Sequence, residues 1–294
     1  MWQLGGYNTP TWFVNTFHMP VFLFLSGFVV TPPNLLKLVK KLMRFLIPGL
    51  VVGSAFVFYK NFDIVSFLYH DSKFGYWYLF VLSGYYMLMT LFHYLNTFDG
   101  KKGLLVDLVL SAVIFVGLAG LHFLLGKKVS DLFCVYKMCT FWPVFFFGYM
   151  VKKYQKLKDF VFSNIGYTIA LIVYVVGLYL SYKEFWYYIG IPVGLFAAAF
   201  FANLFHRREN ESSFVECELA RLGRNSLDVY IFHYFFLWTI SLHPVGTYCQ
   251  ETGNLLLFVL VAAVLSVIIA YLCLLVGYIL KCSSLLQTII FGKR

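Results

Sequence analysis

Long apolar runs separated by short polar stretches occupy most of the chain. An α-helix needs about 20 predominantly apolar residues to cross the hydrocarbon core of a bilayer, so the pattern predicts membrane-spanning helices. Nine apolar segments are predicted: 14–31, 45–59, 76–95, 104–125, 133–151, 160–182, 185–205, 226–243 and 254–280. The connections between them are short. The predicted fold class is therefore all-α, a polytopic transmembrane helical bundle of about nine spans in a single integral membrane domain over residues 1–294.

Composition supports the same fold class. Hydrophobic residues make up 61% of the chain, charged residues 12%, and the mean hydropathy is +0.78. A soluble domain has about 45–50% apolar and about 25% charged residues. The six cysteines show neither Cys-x-x-Cys pairs nor histidines at zinc-finger spacing. We therefore expect an integral membrane protein with no metal site and no disulfide framework.

The basic residues predict the orientation in the membrane. The net charge is +10, but the lysines and arginines lie in short clusters between apolar runs, which is typical of membrane-protein loops and not of a nucleic-acid-binding surface. With nine spans, one set of loops holds seventeen basic residues and the opposite set holds five. Cytoplasmic loops carry the excess of positive charge, so the N-terminus is predicted outside and the C-terminus in the cytoplasm.

The richest group of polar residues begins the predicted segment 226–243. On a helix, Ser226, Tyr230 and His233 stand at i, i+4 and i+7 and share one face, while Asn225 and Asp228 lie on an adjoining face. A strip of hydroxyl, phenol and imidazole groups is suited to binding a polyol or moving protons. The same residues are equally suited to hydrogen bonds between helices. The spacing alone leaves both alternatives open.

Two other stretches carry polar residues next to apolar runs. In Lys37–Pro48, four cations, Lys41 and Arg44 among them, precede a span. Such a cluster either holds anionic lipid headgroups or binds the phosphates of coenzyme A. In Phe17–Phe28, a histidine, a proline and a Ser-Gly pair interrupt a hydrophobic run. These residues indicate either a kinked membrane helix or a functional position.

Five phrases, in order over residues 17–233, resemble the pattern of the acyltransferase-3 family, which includes fucose 4-O-acetylase-like membrane O-acyltransferases. They are Phe17-His18-Met19-Pro20 leading to Ser26-Gly27-Phe28; Lys41-x-x-Arg44 leading to Pro48; Trp77-Tyr78-Leu79; Phe145-Phe146-Phe147-Gly148-Tyr149; and Asn225-Ser226-Leu227-x-x-Tyr230-x-x-His233. Each phrase is unspecific alone, but their order and spacing make the set fairly specific.

The resemblance implies an enzyme that moves an acyl group, typically acetyl, from acyl-CoA to a hydroxyl of a cell-envelope carbohydrate. Acetyl-CoA would be the donor co-substrate, with no bound cofactor, and the partners would be membrane lipid and a carbohydrate or lipid-linked sugar acceptor, without nucleic acid. The expected location is a bacterial inner membrane. The alternatives are a polysaccharide or solute transporter or export component, since a polar strip also lines transport pathways, and a non-catalytic paralogue.

The resemblance also assigns roles to residues. The expected catalytic group comprises His233, Tyr230 and His18. The expected substrate- and donor-binding group comprises Lys41, Arg44, Ser26, Asn225, Ser226 and Trp77. Lysine stands at position 41 where the family more often has arginine, and it keeps the charge but loses the bidentate fork. Ser26 and Gly27 are expected to allow close helix packing beside the site.

The beginning of the chain departs from the family. Members normally have ten spans, and the first helix carries an arginine and a histidine regarded as the catalytic base. Residues 1–16 contain neither and resemble the loop that follows that helix. Either a longer reading frame precedes Met1, which would make the domain N-terminally incomplete, or the chain is a divergent or inactive member. In the second case His18 is the nearest replacement base.

Overall fold

The computed structural model describes residues 8–31, 33, 35–95, 100–180, 186–207, 214–240 and 243–292. Within these ranges the regular structure is helical, with a 3₁₀ turn at Lys73–Gly75. The α-helices are α1 Asn8–Val29, α2 Leu35–Tyr59, α3 Ile64–Tyr69, α4 Trp77–Leu95, α5 Gly100–Leu124, α6 Gly126–Leu132, α7 Val135–Lys153, α8 Gln155–Phe162, α9 Asn164–Leu180, α10 Trp186–His206, α11 Phe214–Arg224, α12 Ser226–Thr239, α13 His243–Glu251, α14 Leu255–Lys281 and α15 Ser284–Phe291.

The all-α membrane fold predicted from the sequence is confirmed. Each of the nine apolar segments coincides for most of its length with one helix: α1, α2, α4, α5, α7, α9, α10, α12 or α14. Among the described residues, four helices are long and apolar enough to cross a membrane, or six if each of two bent helix pairs is one span. The bent pairs are α6 with α7 and α8 with α9. The count of nine spans therefore stays a prediction.

Two boundaries differ from the sequence prediction. Residues 1–16 were predicted to form a loop, and this prediction is wrong from Asn8 onward, where α1 begins. Residues 1–7 lie outside the described part of the chain. Pro10 lies in the first turn of α1, where a proline removes no intrahelical hydrogen bond. Helix α2 begins at Leu35 and includes the basic stretch, because lysine and arginine are good helix formers and their long stems cover apolar surface.

The connection between the apolar segments 185–205 and 226–243 is rich in charged residues and contains regular structure. Its second half forms α11, which has acidic residues near its beginning and arginines in its last turn, the arrangement that the helix dipole favours. Residues 208–213 of this connection lie outside the described ranges. So do the side chains of residues 185–188, an aromatic run at the start of the apolar segment 185–205 whose sequence is typical of the membrane–water interface.

The chain forms two compact units. The first contains residues 1–11, 36–83 and 212–294, and the second contains residues 12–35 and 84–211. In the first unit, α12 packs on α14, and the buried core includes Phe56, Tyr76, Leu79, Ile231 and Ile269. In the second unit, α9 packs on α10 and α5 packs on α7.

Glycines bring α1 and α7 into backbone contact in the second unit. A Cβ atom at Gly27 would overlap the carbonyl oxygen of Phe145, and a Cβ atom at Gly148 would overlap the carbonyl oxygen of Phe24. Small residues at a helix interface allow this approach in membranes, where packing replaces the hydrophobic effect between helices. Two of the phrases that carry the family resemblance therefore lie against each other.

Candidate functional site

The imidazole of His233 is held by its own helix. Its Nδ1 atom lies 2.8 Å from the carbonyl oxygen of Tyr230 and 3.0 Å from that of Val229. A carbonyl only accepts, so Nδ1 carries the proton in the neutral ring and Nε2 keeps its lone pair. The ring centroid lies 3.9 Å from that of Tyr234. The arrangement leaves Nε2 able to accept a proton from a bound hydroxyl group.

Tyr230, one turn before His233 on α12, contacts the turn that precedes α4. Its hydroxyl donates to the carbonyl oxygen of Gly75 at 2.6 Å and accepts from the backbone N–H of Tyr78 at 3.3 Å. The rings of Tyr78 and Tyr230 lie 5.4 Å apart. With both functions of the phenol satisfied by backbone groups, Tyr230 fixes the geometry beside His233 and is poorly placed to donate a proton itself.

The turn that Tyr230 contacts has an unusual backbone. Three consecutive residues have positive φ: Lys73 at 47°, Phe74 at 48° and Gly75 at 106°. A Cβ atom at Gly75 would overlap the ring of Tyr234, so only glycine fits there. Positive φ at Lys73 and Phe74 costs about 1–3 kcal/mol each and persists where the surroundings enforce it. Such strain is often found at functional sites.

A buried lysine supports this turn and was missed by the sequence prediction. The ammonium group of Lys73 is fully buried and donates to the carbonyl oxygens of Leu68 and, at 3.3 Å, His70. On the opposite side of the turn, the Tyr76 hydroxyl donates to the carbonyl oxygen of Ile231 at 2.9 Å. In the sequence, Lys73 resembles an ordinary loop lysine; only its position before an aromatic triplet sets it apart.

The remaining polar residues of the α12 phrase lie elsewhere on the helix. Ser226 is the exposed first residue of α12, and the Asn225 side chain donates to the Arg221 carbonyl oxygen at 2.9 Å. Asp228 is buried and lies 2.5 Å from the Lys281 ammonium group. The structure therefore groups Tyr230 with His233, whereas Asn225 and Asp228 face α14. The predicted binding roles of Asn225 and Ser226 stay predictions.

The expected donor-binding cations lie in the first part of α2. Lys41 and Arg44 are one turn apart on the helix, and the Arg44 side chain is exposed. Gly292, with φ of 61°, packs directly on the backbone of Met43 and Arg44. Trp77 is the first residue of α4, and its ring lies edge-on to that of Tyr78, with centroids 6.4 Å apart. The structure thus holds the backbone at Arg44 and leaves its guanidinium accessible.

His18 and Ser26 lie on α1, in the second compact unit. His18 Nδ1 lies 3.0 Å from the Val14 carbonyl oxygen, so Nε2 carries the lone pair, as in His233. The Ser26 hydroxyl donates to the Phe22 carbonyl oxygen one turn earlier at 2.8 Å. The bond ties Ser26 to its own helix, next to the glycine contact between α1 and α7.

A second buried carboxylate was also missed. Asp107 on α5 is fully buried, and its Oδ2 atom accepts from the Lys153 ammonium at 2.8 Å and from the Tyr154 hydroxyl at 2.7 Å. Its Oδ1 atom has no hydrogen-bond partner among the residues that the structure describes. The available signal was an aspartate inside a predicted span, because a charge retained in an apolar segment is normally paired.

Within the described ranges, no three histidine, cysteine, aspartate or glutamate side chains come together as a metal ion requires. The site features that the described residues do contain are a fixed imidazole, a partly buried tyrosine that contacts a strained turn, and cations at one end of α2.

Comparison with known proteins identifies one family. The family model described as an acyltransferase domain matches residues 1–275, nearly the whole chain and all of the predicted site residues. No curated protein and no solved structure matches the chain significantly.

Proposed function

The chain belongs to the acyltransferase-3 family, and we propose on this basis that it is an O-acyltransferase that acetylates a hydroxyl group of a cell-envelope carbohydrate, with acetyl-CoA as donor. The match over residues 1–275 is the observation that carries the proposal. It establishes an integral membrane protein of an acyltransferase family; the donor, the acceptor and the bacterial inner membrane belong to the proposal.

His233 is the proposed general base. The Nε2 atom takes the proton of the acceptor hydroxyl while the hydroxyl oxygen attacks the thioester carbonyl carbon. The tetrahedral intermediate collapses, the C–S bond breaks, and coenzyme A leaves as the thiol after receiving the proton from the imidazolium. The Nδ1 bonds to Val229 and Tyr230 support this role, because they fix the tautomer and the ring orientation.

Arg44 and Lys41 are the proposed contacts for the donor phosphates. Both lie near the beginning of α2, and the exposed guanidinium of Arg44 offers the planar fork that binds phosphate in a bidentate manner. With nine spans, the loops on the same side of the membrane as Arg44 and Lys41 carry seventeen basic residues, and the loops on the opposite side carry five. This asymmetry supports a cytoplasmic position for the donor site and the C-terminus.

The test is acetyl transfer by the purified protein in proteoliposomes. Acetyl-CoA and a panel of free and lipid-linked oligosaccharides would be supplied, with release of free thiol and acetylated product measured together. Loss of a general base reduces the rate about 10²–10⁴-fold, so His233→Ala should lose at least about 100-fold in kcat.

The matched control is His243→Ala. His243 is an exposed histidine at the beginning of α13, and its replacement should leave kcat within about twofold of wild type. Equal activity of His233→Ala and wild type would exclude the proposed base. Movement of the oligosaccharide across the membrane without consumption of acetyl-CoA would instead support a transporter.

A further inference from the structure

An open pocket of about 470 Å³ lies in the first compact unit, away from His233 along α12. Its walls come from the end of α11, the beginning of α12 and the last three turns of α14. The lining residues include Arg221, Asn225, Asp228, Leu275, Tyr278 and Lys281. The proposed acyl transfer uses none of the charged groups of this pocket.

The inner wall of the pocket is polar and rigid. Lys281 and Asp228 form an ion pair at 2.5 Å, and a Cβ atom at Gly277 would lie 2.7 Å from the Asp228 carboxyl carbon. The absence of a side chain at position 277 therefore makes room for the carboxylate against α14. A lysine ammonium has three N–H donors, so the bond to Asp228 leaves donors for a further anion.

Arg221 adds a second cation at the mouth of the pocket. Its guanidinium lies 3.6 Å from Glu218, and Glu218 accepts a 2.7 Å hydrogen bond from the Tyr271 hydroxyl, which ties α11 to α14. The arginine side chain remains 59% exposed. Each of the two cations has a carboxylate beside it, Lys281 at Asp228 and Arg221 at Glu218, so a phosphodiester would be held by the N–H donors of the two cations and not by an excess of positive charge.

The outer wall is largely apolar and exposed. Leu275 is 55% exposed and Tyr278 is 72% exposed on α14, which is one of the helices long and apolar enough to span a bilayer. Lys281 is the last residue of that span. Leu275 comes six residues before it, about 9 Å along the helix axis at a rise of 1.5 Å per residue. The pocket thus joins the cationic end of this helix to exposed apolar side chains about 9 Å along its axis.

We propose that this pocket binds one membrane phospholipid. The phosphodiester contacts Arg221 and Lys281 at the interface, Asn225 contacts the polar backbone of the headgroup, and an acyl chain lies along Leu275 and Tyr278. A soluble phosphate ester matches the cations but leaves the apolar wall uncovered. A neutral lipid matches the apolar wall but leaves the cations unused. Only a ligand with both parts fits both walls.

The test uses three probes that divide the ligand into its parts: phosphatidylglycerol, a diacylglycerol with the same chains, and glycerol 3-phosphate. Each is titrated against the delipidated full-length protein, and the bound fraction is measured by native mass spectrometry. Phosphatidylglycerol should bind at least about tenfold more tightly than either part. Equal binding of glycerol 3-phosphate and phosphatidylglycerol would overturn the proposal in favour of a soluble phosphate ester, and equal binding of diacylglycerol would overturn the role of the cations.

Variants locate the binding on the protein. Arg221→Gln should weaken phosphatidylglycerol binding about tenfold, because it removes one charge-assisted contact. Arg224→Gln is the matched control: it removes the same charge from the exposed last turn of α11 but does not line the pocket, and binding should stay unchanged. Equal weakening by the two variants would show a diffuse effect of charge and would contradict a defined site.

A second variant tests the same site at the ion pair of Asp228 and Lys281, so that the test does not rest on Arg221 alone. Lys281→Ala alone leaves the buried Asp228 carboxylate unpaired and destabilises the fold, so the double variant Asp228→Asn/Lys281→Met is used. It removes both charges together and should fold, with binding reduced as far as in Arg221→Gln. Unchanged binding in a folded double variant would contradict the site. His233-dependent acyl transfer, measured in parallel, shows whether lipid binding and catalysis fail separately.

Discussion

The hydroxyl of Tyr230 donates a 2.6 Å hydrogen bond to the carbonyl oxygen of Gly75, a residue 155 positions earlier in the chain. The hydroxyl oxygen of Tyr230 also accepts a hydrogen bond from the backbone N–H of Tyr78 at 3.3 Å. The phenol of Tyr230 therefore contacts both the end of the strained turn and the first turn of α4. It lies on the same helix as the fixed imidazole of His233. The position of that imidazole depends on a contact between distant segments and not on α12 alone.

Tyr230→Phe keeps the ring and removes this contact. The Gly75 carbonyl and the Tyr78 N–H lose a partner while partly buried, so we expect the free energy of unfolding to fall by about 0.5–1.5 kcal/mol. Acyl transfer should fall with it, and the protein should still fold. Thermal unfolding in lipid nanodiscs and the proteoliposome rate are the measurements. Tyr248→Phe, at an exposed position on α13, is the control; an equal loss there would contradict the specific role of Tyr230.

The contact between α1 and α7 predicts opposite effects of one substitution at two glycines. Gly27→Ala places a methyl group onto the Phe145 carbonyl oxygen, and because a backbone atom cannot rotate away, the helices must separate. We expect a loss of about 1–3 kcal/mol in the free energy of unfolding.

Gly117→Ala tests the same chemical change where nothing is crowded. Gly117 lies on an exposed face of α5 with no atom within 4 Å of the added Cβ. The helix should gain up to about 1 kcal/mol, because alanine loses less backbone entropy than glycine. The measurement is the unfolding midpoint of each variant in the same lipid, compared with that of the wild type. A similar shift in Gly27→Ala and Gly117→Ala would contradict close packing at Gly27.

The ion pair between Asp107 and Lys153 predicts an asymmetric pair of single variants. Lys153→Met leaves a fully buried carboxylate with only the Tyr154 hydroxyl, and we expect a loss of about 3–5 kcal/mol. Asp107→Leu should cost less, because the Lys153 side chain is already 25% exposed and its ammonium can move to water. The double variant should recover most of the stability.

Chemical unfolding of the three variants provides the measurement. The order of stability should be double variant, then Asp107→Leu, then Lys153→Met. Equal losses of stability in the two single variants would contradict this prediction. They would show that the unpaired Lys153 ammonium cannot reach water, although its side chain is 25% exposed.

The nine helices that coincide with apolar segments were predictable, because the thickness of the bilayer sets the length of each apolar segment. Helix α2 extended further than predicted, since charged residues such as Lys41 and Arg44 end a hydrophobic run without ending a helix. The boundary of α1 was missed for a similar reason: the polar residues near Asn8 resemble a loop, yet an N-terminal turn tolerates both them and Pro10.

The site was predictable where it depends on helical spacing and unpredictable where it depends on tertiary contacts. The i, i+3 relation of Tyr230 and His233 follows from the sequence. The bond from Tyr230 to Gly75 and the pairing of Asp228 with Lys281 do not, because each joins segments far apart in the chain. A buried Lys73 was equally inaccessible, since its partners are backbone carbonyl oxygens that carry no sequence signal.

The first compact unit is built from residues 36–83 and 212–294, which the ribosome makes at different times. At about 5–20 residues per second, the 155 residues between Gly75 and Tyr230 take roughly 8–30 s to synthesise. During that interval the turn at Lys73–Gly75 lacks the phenol that holds it. Its strained backbone can therefore be fixed only after α12 has been made, so this unit completes its folding late in synthesis.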